Sequence, residues 1–324
     1  MRKISYKEAL KEALREEMIR DEDVFLMGED IADPFGGTYK VTSGLSTEFG
    51  DERVRNTPIS EAGIMGAAVG AALTGMRPVA ELMYVDFLSC CLDAIGNQAA
   101  KIRYMSGGQC EVPAVFRTQQ GAGRASAAQH AQSWEAILAH IPGLKIVMPA
   151  TPYDAKGLLK TAIRDDDPVV FLEHKLLYAI EGEVPEEDYT VPFGKAAIKR
   201  QGSDVTIIGT LRMVHFALEA AKMLEKEGIQ AEVIDLRTIV PLDTETILES
   251  VKKTNRVVIA QEAVERCGFA SQLAAVIMDL GFDYLDAPVK RVAAPNTPVP
   301  FAPELENYVI PNANTIYKAV KEIL

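Results

Sequence analysis

The chain has 324 residues, 48% hydrophobic and 25% charged, enough for two domains of ordinary size, each with its own core. Lysine and arginine total 34 against 46 aspartates and glutamates, a net charge of −12. That balance excludes wrapping a nucleic-acid backbone or an anionic membrane surface, because both need a basic face. The cysteines Cys90, Cys91, Cys110 and Cys267 form no CxxC pair and the histidines no HExxH. Neither a disulfide frame nor a zinc site is expected, and reduced cytoplasmic thiols are the plain reading.

Near the start, Ala9, Leu10, Ala13, Leu14 and Met18 recur at helical spacing among charges, and no apolar export segment is visible. "VFLMGED" and "RVRNTPI" then read as strands and "EAGIMGAAVGAALTG" as a helix. The most apolar window, 62–76, falls short of the roughly 20 residues that cross a membrane, so no membrane segment is expected. "RPVAELM" reads as a strand, followed by a long helix from about Phe87 to Met105 and strand "VPAVFRTQ". A helix around "SWEAILAHI" leads to strand "LKIVMPA", helix "PYDAKGLLKTAIRD" and strand "PVVFLEH". Acids, prolines and glycines interrupt the rhythm over 179–204, as in a linker. The alternation then restarts with "VTIIGT" and ends in a helix running to Leu324. Short apolar strands alternating with helices predict an α/β protein of two doubly wound domains, 1–185 and 204–324, joined by a linker at 186–203.

Three places invite chemistry. "QQGAGRASA" follows a strand and resembles a dinucleotide loop, but Ser126 stands where the third glycine belongs. No GxxxxGK[ST] exists, so the chain shows no convincing diphosphate loop of its own. In the 61–76 helix, Gly63, Ala67, Gly70 and Thr74 share one face, suited either to tight packing within the domain or to a subunit contact. Ser60 is placed to cap that helix, and Glu61 in its first turn either complements the helix dipole or is an acid with a chemical role. His130, in "SAAQHAQSWEA", falls where open α/β sheets bind ligands, and is either a proton-transfer group or a hydrogen-bonded loop histidine. His140, His174 and His215 read as structural.

Several long stretches, in order along the chain, resemble one family. They are "GED" (28–30), "GGTYKVTSGL", "RVRNTPISEAGIMGAAVGAALTGMRPVAE", "NQAAKIRYMSGG", "AAQHAQS", "HIPGLKIVMPATPYDAKGLLKTAIRDDDPVVFLEHKLLY" and "VIDLRTIVPLD". Across essentially the whole chain they look like the beta subunit of thiamine-diphosphate-dependent 2-oxo acid dehydrogenases: pyruvate, branched-chain and acetoin. The resemblance implies a pyrimidine-binding transketolase-like domain followed by a transketolase C-terminal-like domain. It gives Glu61 the role of hydrogen-bonding a ring nitrogen of the cofactor's aminopyrimidine, favouring the imino tautomer that deprotonates the thiazolium carbon. Glu29, Ile59, Ser60, Met83 and Phe87 would line the pyrimidine half, and His130 would serve proton transfer and acyl handover to a lipoyl group.

The same resemblance implies a potassium site at Ala114, Ala162, Ile163, Asp165 and Asp167, formed largely by backbone carbonyls. Ala131 stands where the family usually has serine. The family's alpha subunit holds the diphosphate and its magnesium through a GDG…N motif, whereas "FGDER" here lacks the second glycine. The implied partners are an alpha subunit in an α2β2 assembly, a second beta chain, and a lipoyl acyltransferase core. The implied substrate is a small 2-oxo acid, pyruvate in first place, with acetoin cleavage or a branched-chain acid as alternatives.

Overall fold

Strands apolar on both sides build the first sheet. In a computed structural model, which describes residues 1–324, Val24–Gly28, Arg77–Leu82, Val115–Gln120 and Val169–His174 are buried almost throughout. With Val54–Asn56 and Lys145–Val147 they lie in the order 145–147, 169–174, 115–120, 77–82, 24–28, 54–56, every neighbouring pair parallel. These parallel strands therefore end at the same edge.

Helix Tyr6–Arg20 begins with a capping box between Ser5 and Glu8 and buries Ala9, Leu10, Ala13, Leu14 and Met18, the positions its spacing marks. Burying a leucine there contributes about 1.5–3 kcal/mol. It packs on helix Pro152–Arg164, which Thr151 caps by accepting from the Asp154 amide. Lys156, fully buried, meets Glu16 at 2.6 Å and Glu12 at 3.2 Å, and Arg164 meets Glu17 at 2.7 Å.

The second sheet runs 290–294, 257–264, 205–209, 231–235, 197–200, parallel except for the antiparallel edge strand Ala197–Arg200. Helices Arg212–Glu225 and Ala313–Lys321 close one core on it through Leu224, Ile316 and Val320 against Ile207, Val233 and Val258. Helix Thr244–Thr254 is capped by Asp243 and ends at Asn255 in left-handed backbone, φ 57°.

The chain gathers into two compact units: Met1–Gln120 with Ile137–Phe193, and Gly121–Ala136 with Gly194–Leu324. Segment 121–136, read from sequence with the first domain, thus packs with the second unit. Residues 197–200, read as linker, form an edge strand whose half-exposed side chains lack an apolar signature. The helix expected over 87–105 is interrupted, with α-helix at Leu88–Leu92 and Ala100–Met105 flanking π turns at Asp93–Ala99. The last helix divides into Pro303–Val309 and Ala313–Lys321 around Pro311, which cannot supply the amide a continuous helix needs. No helix is long and apolar enough to cross a membrane.

Candidate active site

Glu29 leaves strand Val24–Gly28 and Glu61 opens helix Glu61–Leu73, both half-buried. Their strand ends are tied: the Thr57 amide donates to the Gly28 carbonyl at 3.0 Å, and the Ala32 amide to Asn56 Oδ1 at 3.2 Å. A Cβ at Gly28 would stand 3.0 Å from the Glu81 carbonyl oxygen, a tight contact between the two strands that glycine avoids. Burial first, then the charge of Glu61, raises the Glu29 pKa, although the Ser60 amide donates to its carboxylate. Glu29 thus senses the neighbouring Glu61 charge.

The expected Ser60 side-chain cap is not made. At φ −167° and ψ 69° its hydroxyl donates to the Pro58 carbonyl at 3.2 Å instead. Ile59 stands 82% exposed, an apolar side chain offered to solvent, while Met83 and Phe87 are half-buried. Phe87 meets Tyr84 edge-on at 5.8 Å, and the buried Lys175 ammonium lies 5.1 Å over the Tyr84 ring. Along helix Glu61–Leu73, Ile64, Met65, Ala68, Val69 and Ala72 are buried, whereas Gly63, Gly66, Ala67 and Gly70 face outward. The small-residue face is therefore not packed within the chain.

A charged cluster missed at the sequence level lies in the same sheet. Arg117 donates to Glu81 at 3.0 Å and to both oxygens of Glu173 at 2.7 and 3.0 Å, and Tyr178 donates to Glu173 at 2.6 Å. All four are buried. Burial pushes the Glu81 carboxyl up, while Arg117 stays charged because Glu173 and Glu81 outweigh its own burial. Its signal was available: one charge inside each of three neighbouring apolar strands, a base between two acids.

The loop "GAGRAS" belongs to the second unit and is not a phosphate cradle. The Gly121 amide donates to the Gln132 carbonyl at 3.0 Å, the Ala122 amide to Glu262, and the Gly123 and Ala125 amides to Glu306. Amides that would bind a phosphate already bind carboxylates, and no helix starts at the loop's end. His130 is half-buried, its amide 3.5 Å from the Ala127 carbonyl, and Ala131 packs with Ala122 and Ile310. A cavity of about 510 Å³ beside this segment is lined by Ala128, Ala131, Gln132, Val299 and Ile310. The structural reading of His174 agrees with its burial and with its Nδ1 accepting the Leu176 amide at 3.1 Å.

Around the loop expected to hold potassium, protein donors already reach most of the carbonyls. Ala114 accepts from the Val169 amide at 3.0 Å, Ala162 from the Asp165 amide at 3.4 Å, and Ile163 and Asp165 from Arg77 at 3.0 and 3.1 Å. The Asp165 and Asp167 carboxylates pair with Lys145 and Arg103. A carbonyl keeps a second lone pair, so the oxygen set suits a hard cation in ligand type, while its negative charge is already balanced.

Residues 2–181 match the family described as the transketolase pyrimidine-binding domain, and residues 194–316 the transketolase C-terminal domain. The chain is 51% identical to the beta subunit of acetoin:2,6-dichlorophenolindophenol oxidoreductase of Bacillus subtilis, covering 100% of this chain and 98% of that one. It is 50% identical to the pyruvate dehydrogenase E1 component subunit beta of Rickettsia felis, over 99% and 98%. Identity to the 2-oxoisovalerate dehydrogenase subunit beta of Bacillus subtilis is 49%, again over 99% and 98%. Among solved structures, a split-gene transketolase described as an inactive beta4 tetramer superposes with a TM-score of 0.82 at 26% identity, over 99% and 98% of the two chains. With both domain types present in order and near-half identity along its whole length, the chain belongs to the family of beta subunits of thiamine-diphosphate-dependent 2-oxo acid dehydrogenases.

Proposed function

We propose that this chain, with an alpha subunit in an α2β2 assembly, oxidatively decarboxylates pyruvate and passes the acetyl group to a lipoyl arm. The observation that carries the reading is the Glu29–Glu61 carboxylate pair at the carboxyl edge of a parallel sheet, with Glu29 held toward its protonated form. Thiamine diphosphate fits these residues on its pyrimidine side. Glu61 is placed to hold a proton at a ring nitrogen, Ile59 and Met83 offer apolar surface, Phe87 offers an aromatic face, and Ser60 and Glu29 complete the edge. When bound, the cofactor supplies the electron sink that loss of carbon dioxide from a 2-oxo acid requires. Glu61 acts more strongly where apolar neighbours keep water away from its hydrogen bond. His130 delivers a proton to the lipoyl dithiolane as the ring opens.

The diphosphate and its magnesium fall to the alpha subunit, since the glycine loop's amides are committed to Glu262 and Glu306. The second unit pairs with another beta chain and docks the acyltransferase core. A potassium ion on the 162–167 loop would use the second lone pairs of carbonyls that Arg77 already shares. The four cysteines are free thiols, in keeping with a cytoplasmic setting.

Pyruvate is favoured because the Tyr84–Phe87 corner is compact and aromatic, which suits a short acyl chain. Acetoin is the second reading, supported by the two relatives named for it at 51% and 52% identity. Lipoyl-dependent turnover of the reconstituted enzyme should show the highest kcat/KM with pyruvate, less with acetoin and least with a branched 2-oxo acid. An acetoin value well above pyruvate would replace the substrate and leave the cofactor chemistry in place.

A further inference from the structure

Glu306, on helix Pro303–Val309, is only 2% exposed. Its Oε1 accepts the Gly123 amide at 2.8 Å and its Oε2 the Ala125 amide at 2.9 Å. Glu262, from strand Val257–Val264, accepts the Ala122 amide at 2.5 Å. The same segment closes at its base through the Gly121–Gln132 backbone bond. Between these ties Ala125 and Ala127 hold φ of 51° and 60°, left-handed backbone that side-chain-bearing residues avoid. His130 follows directly, its amide directed at the Ala127 carbonyl.

A buried carboxylate must be met by donors, and two backbone amides aimed at its two oxygens are strong, charge-assisted partners. Backbone held in an unfavoured region persists only where its surroundings over-determine it. Glu306 satisfies both conditions at once. We propose that Glu306 is a positioning residue for His130: its carboxylate fixes the backbone course of Gly123–Ala125 and thereby sets where the imidazole stands. The proposal rests on the reading of His130 as the active-site histidine. Glutamine cannot replace the acid fully, since it offers one oxygen for two amides and turns an NH2 toward the second.

The test uses the assembled alpha–beta enzyme with Glu306→Gln and Glu306→Ala. Arg124 is exposed between the two clamped amides, so tryptic cleavage after Arg124 reports on the loop without reference to activity. Cleavage should accelerate in both variants. Lipoyl-dependent kcat should fall by about 100-fold in Glu306→Ala and about 10-fold in Glu306→Gln, with KM for the 2-oxo acid little changed, as expected when a reacting group is displaced by about 1 Å. Formate should restore part of the Glu306→Ala activity by re-occupying the two amides, while chloride at equal ionic strength should not. Added to His130→Ala, Glu306→Ala should cost less than about threefold more, because both act through one group. Wild-type cleavage and wild-type lipoyl turnover in either folded variant would overturn the proposal, as would losses that multiply in the double variant. Should His130→Ala itself keep full lipoyl turnover, the His130 reading fails; cleavage and formate protection of Arg124 then decide separately whether Glu306 holds the loop.

Discussion

Ionising Glu29 beside Glu61 sets like charges together where water is partly excluded, so burial and then the Glu61 charge hold the Glu29 carboxyl above its ordinary range. Glu61→Gln keeps the shape of the side chain and removes the acid. In the reconstituted enzyme it should slow exchange of the thiazolium proton at least ~100-fold, the range ascribed to positioned acid–base groups; exchange at the wild-type rate would return Glu61 to a dipole-complementing role. The same variant should lower the Glu29 pKa while leaving it above the ordinary 4.5, because burial, the larger cause, remains. A carboxyl whose folded pKa is raised favours the fold while protonated. Wild-type stability attributable to Glu29 is therefore complete below 4.5 and lost as pH rises through the raised value. Carboxyl 13C titration of both proteins, with urea melts across that window, checks the sign; an unmoved Glu29 titration removes the coupling. At this scale the sequence singles out residues that sit in a local motif, as Glu61 and His130 do. Glu306 was not, since its partners lie 181 and 183 residues away. Ser60 looked like a cap by position, and only its backbone angles reveal that its hydroxyl turns to Pro58.

Helix Glu61–Leu73 is two-sided, with aliphatic side chains inward and glycine and alanine outward. A Cβ at Gly70 would meet nothing within 4 Å, and its φ is not in the left-handed region. Gly70→Ala should accordingly stabilise the lone chain by roughly 0.5–1 kcal/mol in urea melts, through reduced backbone freedom in the unfolded state. If a partner's backbone packs on that face, the same methyl should weaken assembly with the alpha subunit, measured by sedimentation. Stabilisation with unchanged assembly would remove the face from the subunit contact. Gly143 is the contrast: at φ 102°, a Cβ there would lie 1.9 Å from the Ala100 carbonyl oxygen. Elements with strong periodicity and caps were readable nearly to the residue, as at Pro152–Arg164. The π turns at Asp93–Ala99 keep a helical pattern in the sequence and differ only in hydrogen-bond register, so the pattern hid them.

At the level of the molecule, the proposed division of the cofactor between two subunits leaves the lone chain an incomplete binding partner. Calorimetry should detect no micromolar, magnesium-dependent thiamine diphosphate binding by this chain alone, and adding the alpha subunit should restore it; tight binding by the lone chain would refute a shared site. Melting the lone chain in potassium and sodium chloride at one ionic strength tests the 162–167 loop, with a higher Tm expected in potassium and coincident curves removing the ion. The alternation of strands and helices foretold two α/β domains; it could not show that segment 121–136, which lies along the chain within the first, bonds to Glu262 and Glu306 far along the sequence. That discontinuity orders events on the ribosome. Glu262 is synthesised 140 residues after Ala122, and Glu306 follows Gly123 by 183. At about 5–20 residues per second, the backbone before His130 waits on the order of ten to forty seconds for its clamp. The strands of the first sheet have all been made by then, so a nascent chain stalled ahead of Glu306 holds a complete sheet and an unset histidine: shape comes early in translation, and competence with the final helices.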